Sequence, residues 1–233
     1  MSTTLWESFL RSEAGHDWWV YVTAGSAIGF SLVLVCLVKF QGLSIYAADC
    51  GMSTVHAFLA ILFCFLGIVE GGVSQGPSSP MQTLLLAMSL GYYIVDTTLV
   101  LTVVPDRAAL FHHLACLWGE YCAITKGVCG GALCLNLLAG EISTPWLYAW
   151  RGGFVAQGSF AYRFCQVMFA GVFLIARIGF GPFLAKDVLS SETVPLPIKF
   201  GCATIMLLSI YWAGLILQEV LEVGRQNRTK KFE

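Results

Sequence analysis

Seven apolar stretches, at about 18–40, 53–70, 82–104, 108–124, 128–147, 163–185 and 197–221, follow one another with only short polar breaks between them. A helix needs about 20 mainly apolar residues to cross the hydrocarbon core, so this pattern commits the chain to the membrane. The composition agrees: of 233 residues, 57% are hydrophobic and 12% are charged, and little is left over for a soluble domain. The expected fold is all-α and polytopic, a bundle of six or seven transmembrane helices around a polar cavity opening to the cytosol. A short N-terminal segment (1–17) would precede the membrane domain (18–221), and a basic tail (222–233) would follow it.

The breaks have recognisable chemistry. QGPSSP at 75–80 separates the second and third stretches, Pro105 follows the third, and VPLP at 194–197 precedes the last. Pro145 interrupts the fifth stretch, which is expected to be kinked or partly re-entrant. Orientation follows from the basic residues. With seven crossings and a cytosolic C-terminus, Lys39, Arg107, Arg151, Arg163, Arg225, Arg228, Lys230 and Lys231 face the cytosol, against Arg11, Lys126, Lys186 and Lys199 on the other side. That bias obeys the positive-inside rule.

The nine cysteines form no C-x-x-C pair, and most sit in apolar segments as small packing residues. The sequence suggests neither a metal site nor a resident cofactor, and a net charge of −1 speaks against nucleic acid as a partner. The final residues KKFE place Lys230 and Lys231 as in a dilysine retrieval signal, which would hold the protein in the endoplasmic reticulum membrane.

Seven ionisable residues fall inside the apolar stretches: His56, Asp96, His112, His113, Glu120, Glu141 and Arg177. Each costs about 2.5–3.5 kcal/mol on insertion scales, so such groups face a bundle interior or a wet cavity. At a rise of about 1.5 Å per residue, His56, Asp96, His112, His113 and Glu141 come within roughly 5–12 Å of the cytosolic interface and would line one chamber. By the same arithmetic Glu120 and Arg177 lie deeper, at matching depths, and are expected to form a structural ion pair. An imidazole beside a carboxylate can act as a general base, with His113 or His112 as the base and Asp96 or Glu141 orienting it.

At these residues the sequence resembles a known family. STVHAF (53–58), GYYIVD (91–96), FHH (111–113), GEISTP (140–145) and ARIGFGP (176–182) are similar, in order and spacing, to the TLC domain, named for translocation-associated, longevity-assurance and ceroid-lipofuscinosis proteins. The resemblance implies a multi-helix endoplasmic reticulum or Golgi protein concerned with lipid synthesis, transport or sensing. Ceramide synthases in this family follow their histidine pair with a His-Asp pair. Here CLNLLAGEISTP (134–145) contains no histidine, and the E-I-S-T-P form is closer to the smaller TLC domain-containing proteins. The expected function is therefore binding, sensing or moving a membrane lipid. One alternative is an intramembrane acyltransferase with acyl-CoA as co-substrate, and another is a non-enzymatic cargo or regulatory protein. A membrane lipid is the expected partner, and a homo-oligomer is left open.

Overall fold

The computed structural model describes residues 17–229, with side chains through 221. Residues 1–16 and the tail lysines Lys230 and Lys231 lie outside the described residues. The described chain is helical almost throughout: α1 (Trp18–Lys39), α2 (Ile45–Gly71), α3 (Pro80–Thr102), α4 (Arg107–Lys126), α5 (Gly130–Glu141), α6 (Thr144–Arg151), α7 (Phe160–Phe173), a π-helical segment (Leu174–Phe180), α8 (Gly181–Ser190) and α9 (Leu196–Thr229). Five rods are long and apolar enough to cross a membrane: α1, α2, α3, the continuous Phe160–Ser190 rod, and α9 through Leu221. The chain is an all-α, multi-pass membrane protein.

Local chemistry sets the helix ends. Ser44 caps α2 by accepting from the Ala47 amide at 3.2 Å, and Asp106 caps α4 by accepting from the Ala109 amide at 3.0 Å. Ser79 and Gln82 form a reciprocal capping box, with Pro80 at a helix start where its missing N–H costs nothing. Gly127 ends α4 in the left-handed conformation (φ 64°).

Two departures from the hydropathy reading bear on the site. First, α2 begins at Ile45 rather than near 53, because Ser44 supplies a cap and the bundle buries Ala48 and Cys50 around Asp49. Second, the fifth stretch is not one helix. α5 stops at Glu141, and α6 restarts with Pro145 in its first turn, since proline cannot donate to the preceding turn. At 12 residues α5 is about 18 Å long, too short to cross a core about 30 Å thick.

α3 is the central helix: 67% of its most apolar window is buried, against 11% for α1. Contact between these two is close at Gly91, where an added Cβ would lie 2.5 Å from the Thr23 carbonyl oxygen. The same seam is tied by Thr23 Oγ1 donating to the Ala87 carbonyl (3.1 Å) and Ser26 Oγ to that of Met88 (2.6 Å). At one end of the bundle the α2–α3 and α4–α5 loops are bonded together, Ser78 N–H to Gly127 O and Cys129 N–H to Gly76 O, each at 2.9 Å. Gln75 there also reaches Asp187 in α8.

Gly91→Val should cost about 2–3 kcal/mol in reversible unfolding in mixed micelles, because the seam has no room for added side-chain atoms. Gly25→Val on the same helix pair meets nothing within 4 Å and should stay within about 0.5 kcal/mol of the parent.

Candidate functional site

The polar residues of α2 and α3 fall on matching faces at helical spacing: Asp49, Ser53 and His56 on α2, and Ser89, Tyr92, Tyr93 and Asp96 on α3. Facing each other inside the bundle, they bond across it. Tyr92 donates its hydroxyl to Asp96 Oδ2 at 2.6 Å and lies 2.9 Å from the Ser53 hydroxyl. The Tyr92 ring stacks on His56 with centroids 3.8 Å apart and planes within 8°. His56 Nε2 is 3.1 Å from the Ser89 hydroxyl, and its Nδ1 is 3.9 Å from Glu141 Oε1. From α4, His113 Nε2 comes to 3.3 Å from Asp96 Oδ2. Asp96 is 3% exposed, so this is a buried imidazole–carboxylate pair.

A second polar group lies beyond Tyr93. α4 presents His112, Cys116 and Glu120 in one stripe at i, i+4 and i+8, with His112 Nε2 3.8 Å from Cys116 Sγ. These residues, with Asn136, Gly140 and Glu141 of α5 and Arg177 of the π segment, line a cavity of about 60 Å³. Its remaining walls are mostly apolar and include Leu133, Leu137, Val188, Ile198 and Ile205. Tyr93, whose hydroxyl donates to Glu141 Oε1 at 3.4 Å, separates the cavity from the His113–Asp96 pair.

The cavity is poorly satisfied. His112 Nδ1, Glu120 Oε2 and Arg177 Nε are all buried without a hydrogen-bond partner. Glu120 is only 5% exposed. Orphaned buried polar atoms are uncommon in folded proteins because each forfeits its hydration, and of the eight among the described residues three surround this cavity, the others lying on Asp49, His56, Thr97, His113 and Trp150. Among the described residues no group of three or more His, Cys, Asp or Glu side chains is arranged to hold a metal ion.

The sequence-derived site is thus redistributed. His56, Asp96, His112, His113 and Glu141 are all interior, but only His112 and Glu141 line the cavity; His56, Asp96 and His113 pack behind Tyr93. With α2 starting at Ile45, His56 is about 16 Å along its helix rather than in its first turn, and Glu141 is the last residue of α5. The expected Glu120–Arg177 ion pair is not formed. Both residues line the cavity, but no contact within 4.0 Å joins them, and the guanidinium instead lies against Gly140, where an added Cβ would be 2.7 Å from its terminal nitrogen.

The cause is the π segment. Pro182 has no N–H to give to an α-helical turn, and the backbone widens ahead of it, with Gly181 N–H reaching back to Ala176 O. That turns Arg177 toward α5. Two participants went unread in the sequence: Asp49, whose carboxylate faces that of Asp96, and the Tyr92–Tyr93 pair. The spacing of Asp49, Ser53 and His56 at i, i+4 and i+7 was the available signal.

Asp96→Ala should cost about 2–4 kcal/mol in unfolding measurements, since it strands the Tyr92 hydroxyl and His113 together. Asp96→Asn keeps an acceptor for Tyr92 and should cost less than half as much.

Comparison with known proteins agrees with this architecture. The zebrafish (Danio rerio) TLC domain-containing protein 4-B is 28% identical over 149 residues, which is 55% of this chain and 56% of that protein, so the match spans about half the length of each. A family model for the TLC domain matches residues 47–218, from α2 to near the end of the described side chains. The interior polar faces of α2, α3 and α4, the break at Glu141 and the Arg177 turn all fall within that match, and the chain belongs to the TLC domain family.

Proposed function

We propose that this protein binds a membrane lipid by its head group inside the helix bundle and so influences membrane lipid composition. The TLC domain is associated with lipid-related membrane functions, and one observation carries the reading further: His112, Glu120 and Arg177 leave buried polar atoms unpartnered around a single cavity. A polar head group there would supply the missing bonds, and the apolar walls suit the start of a chain. Retention in the endoplasmic reticulum through Lys230 and Lys231, with the C-terminus in the cytosol, belongs to the same proposal.

Transfer chemistry is the second reading, favoured by the 3.3 Å approach of His113 to Asp96. Such a pair has the geometry of a base with its orienting group. It lies outside the cavity lining, however, with Tyr93 between, and the sequence has no later His-Asp pair.

The two are separated with protein in nanodiscs made from a total lipid extract, supplied with isotope-labelled acyl-CoA and followed by mass spectrometry of all lipids. The expected outcome is an unmodified lipid that survives detergent washing with the parent and falls at least tenfold in the His112→Ala/Arg177→Met variant. Equal retention by both proteins would sink the cavity as a lipid site. A labelled product that disappears in His113→Ala would make the protein an acyltransferase.

A further inference from the structure

The cavity lining holds one group that cannot shed its charge. A carboxyl or an imidazole carried into a bundle becomes neutral by keeping or losing a proton, whereas a guanidinium stays protonated in any protein environment. Arg177 is that group. It falls near the middle of the Phe160–Ser190 rod, with about 20 Å of helix between it and the nearer end, so its side chain cannot carry the charge out to water. Its Nε is buried without an acceptor, and among the described residues no hydrogen bond or ion pair joins the guanidinium to another group. Buried charges are ordinarily paired, because a counterion replaces the hydration they lose.

Glu120 and Glu141 share the lining but stand beyond ion-pair distance from Arg177. Neither has to carry the opposing charge, since a buried carboxyl with no guanidinium or ammonium beside it discards its charge by keeping its proton. Packing commits the arginine to this place all the same. Gly140 leaves the space that its terminal nitrogen occupies, 2.7 Å from where a Cβ would be.

Resting on the lipid-binding reading above, we infer that Arg177 is the receptor for the oxyanion of a lipid head group, a carboxylate or a phosphate, which supplies the counterion that the bundle lacks. Either presents acceptor oxygens to a group that only donates, and the planar fork of the guanidinium matches two of them. His112 adds to the donor side. In the tautomer whose Nε2 accepts from the Cys116 thiol, 3.8 Å away, its unpartnered Nδ1 carries the proton. Leu137, Ile198 and Ile205 give the same lining an apolar surface for the attached chain. A neutral head group leaves the cation uncompensated, and an amine sets a like charge beside it.

The test supplies the full-length protein, in uncharged maltoside micelles at a pH that keeps oleate ionised, with four lipids at equal concentration. Oleic acid, 1-oleoyl lysophosphatidic acid, 1-monooleoylglycerol and oleylamine share one chain length and differ in the head. Bound lipid is counted by native mass spectrometry. At least one of the two anions is expected to exceed both monooleoylglycerol and oleylamine tenfold or more, and which anion dominates tells carboxylate from phosphate. In Arg177→Met the anions should fall at least tenfold while the monooleoylglycerol share rises, a gain that a misfolded variant cannot produce. Arg177→Lys keeps the charge without the fork and should hold more anion than Arg177→Met.

Preference for the neutral or the cationic lipid by the parent, or anion binding that stays within threefold in Arg177→Met, overturns the inference and leaves lipid binding standing. If the parent holds none of the four but still retains a lipid from the total extract, the oxyanion assignment alone is lost. If it retains nothing from either source, both readings fail.

Discussion

In hydrocarbon no water is available to satisfy a polar group, so every donor and acceptor carried into the membrane must find its partner within the protein. α3 carries the longest such burden, with Ser89, Tyr92, Tyr93 and Asp96 on one inward face. Its neighbours are arranged to meet it: α2 brings Ser53 and His56, α4 brings His113, and α5 ends where Glu141 reaches Tyr93. The outer helices α1 and α9 clad this interior with apolar surface. Exposed leucine, valine and phenylalanine on those helices are what a lipid-facing surface requires.

The interior polar groups lie in two places, around Asp96 and around the cavity. Around Asp96 several bonds close on one another, through Tyr92, Ser53 and His113, and tie α2, α3 and α4 together, while Asp49 Oδ1, His56 Nδ1 and His113 Nδ1 there find no partner. Around the cavity Glu120, His112 and Arg177 likewise keep atoms without a partner, here beside empty volume. Tyr93 stands between the two. Empty volume, more than the count of unpartnered atoms, sets the cavity apart from the cluster behind Tyr93.

Both backbone irregularities of the bundle face the cavity, and each traces to a proline. Pro145 ends the run of α5, leaving Glu141 at its C-terminus, and Pro182 widens the turn that carries Arg177. Broken helices within a membrane are tolerated where they line a protected interior, because neighbouring groups take up the freed backbone valences. Gly140 completes the arrangement. Its lack of a side chain is what lets the guanidinium lie against α5.

Much of the architecture was legible in the sequence, because the membrane imposes a local rule: length and apolarity of each stretch state whether it crosses. The all-α, multi-pass fold, the break at Pro145 and the interior placement of His56, Asp96, His112, His113 and Glu141 all follow from residues read one segment at a time. Less local features were not legible. The early start of α2 depends on bundle contacts that bury the turns flanking Asp49, and hydropathy therefore cut that helix short. Equal depth along two helices also does not ensure contact, since it leaves rotation about each axis free. The π turn decided that rotation for Arg177 and separated it from Glu120. The sequence by itself determined which groups enter the membrane, because entry is a property of each segment's own transfer free energy. Only the tertiary structure decided which of them find partners and which do not, because satisfaction is a property of the partners that packing brings within a few ångströms.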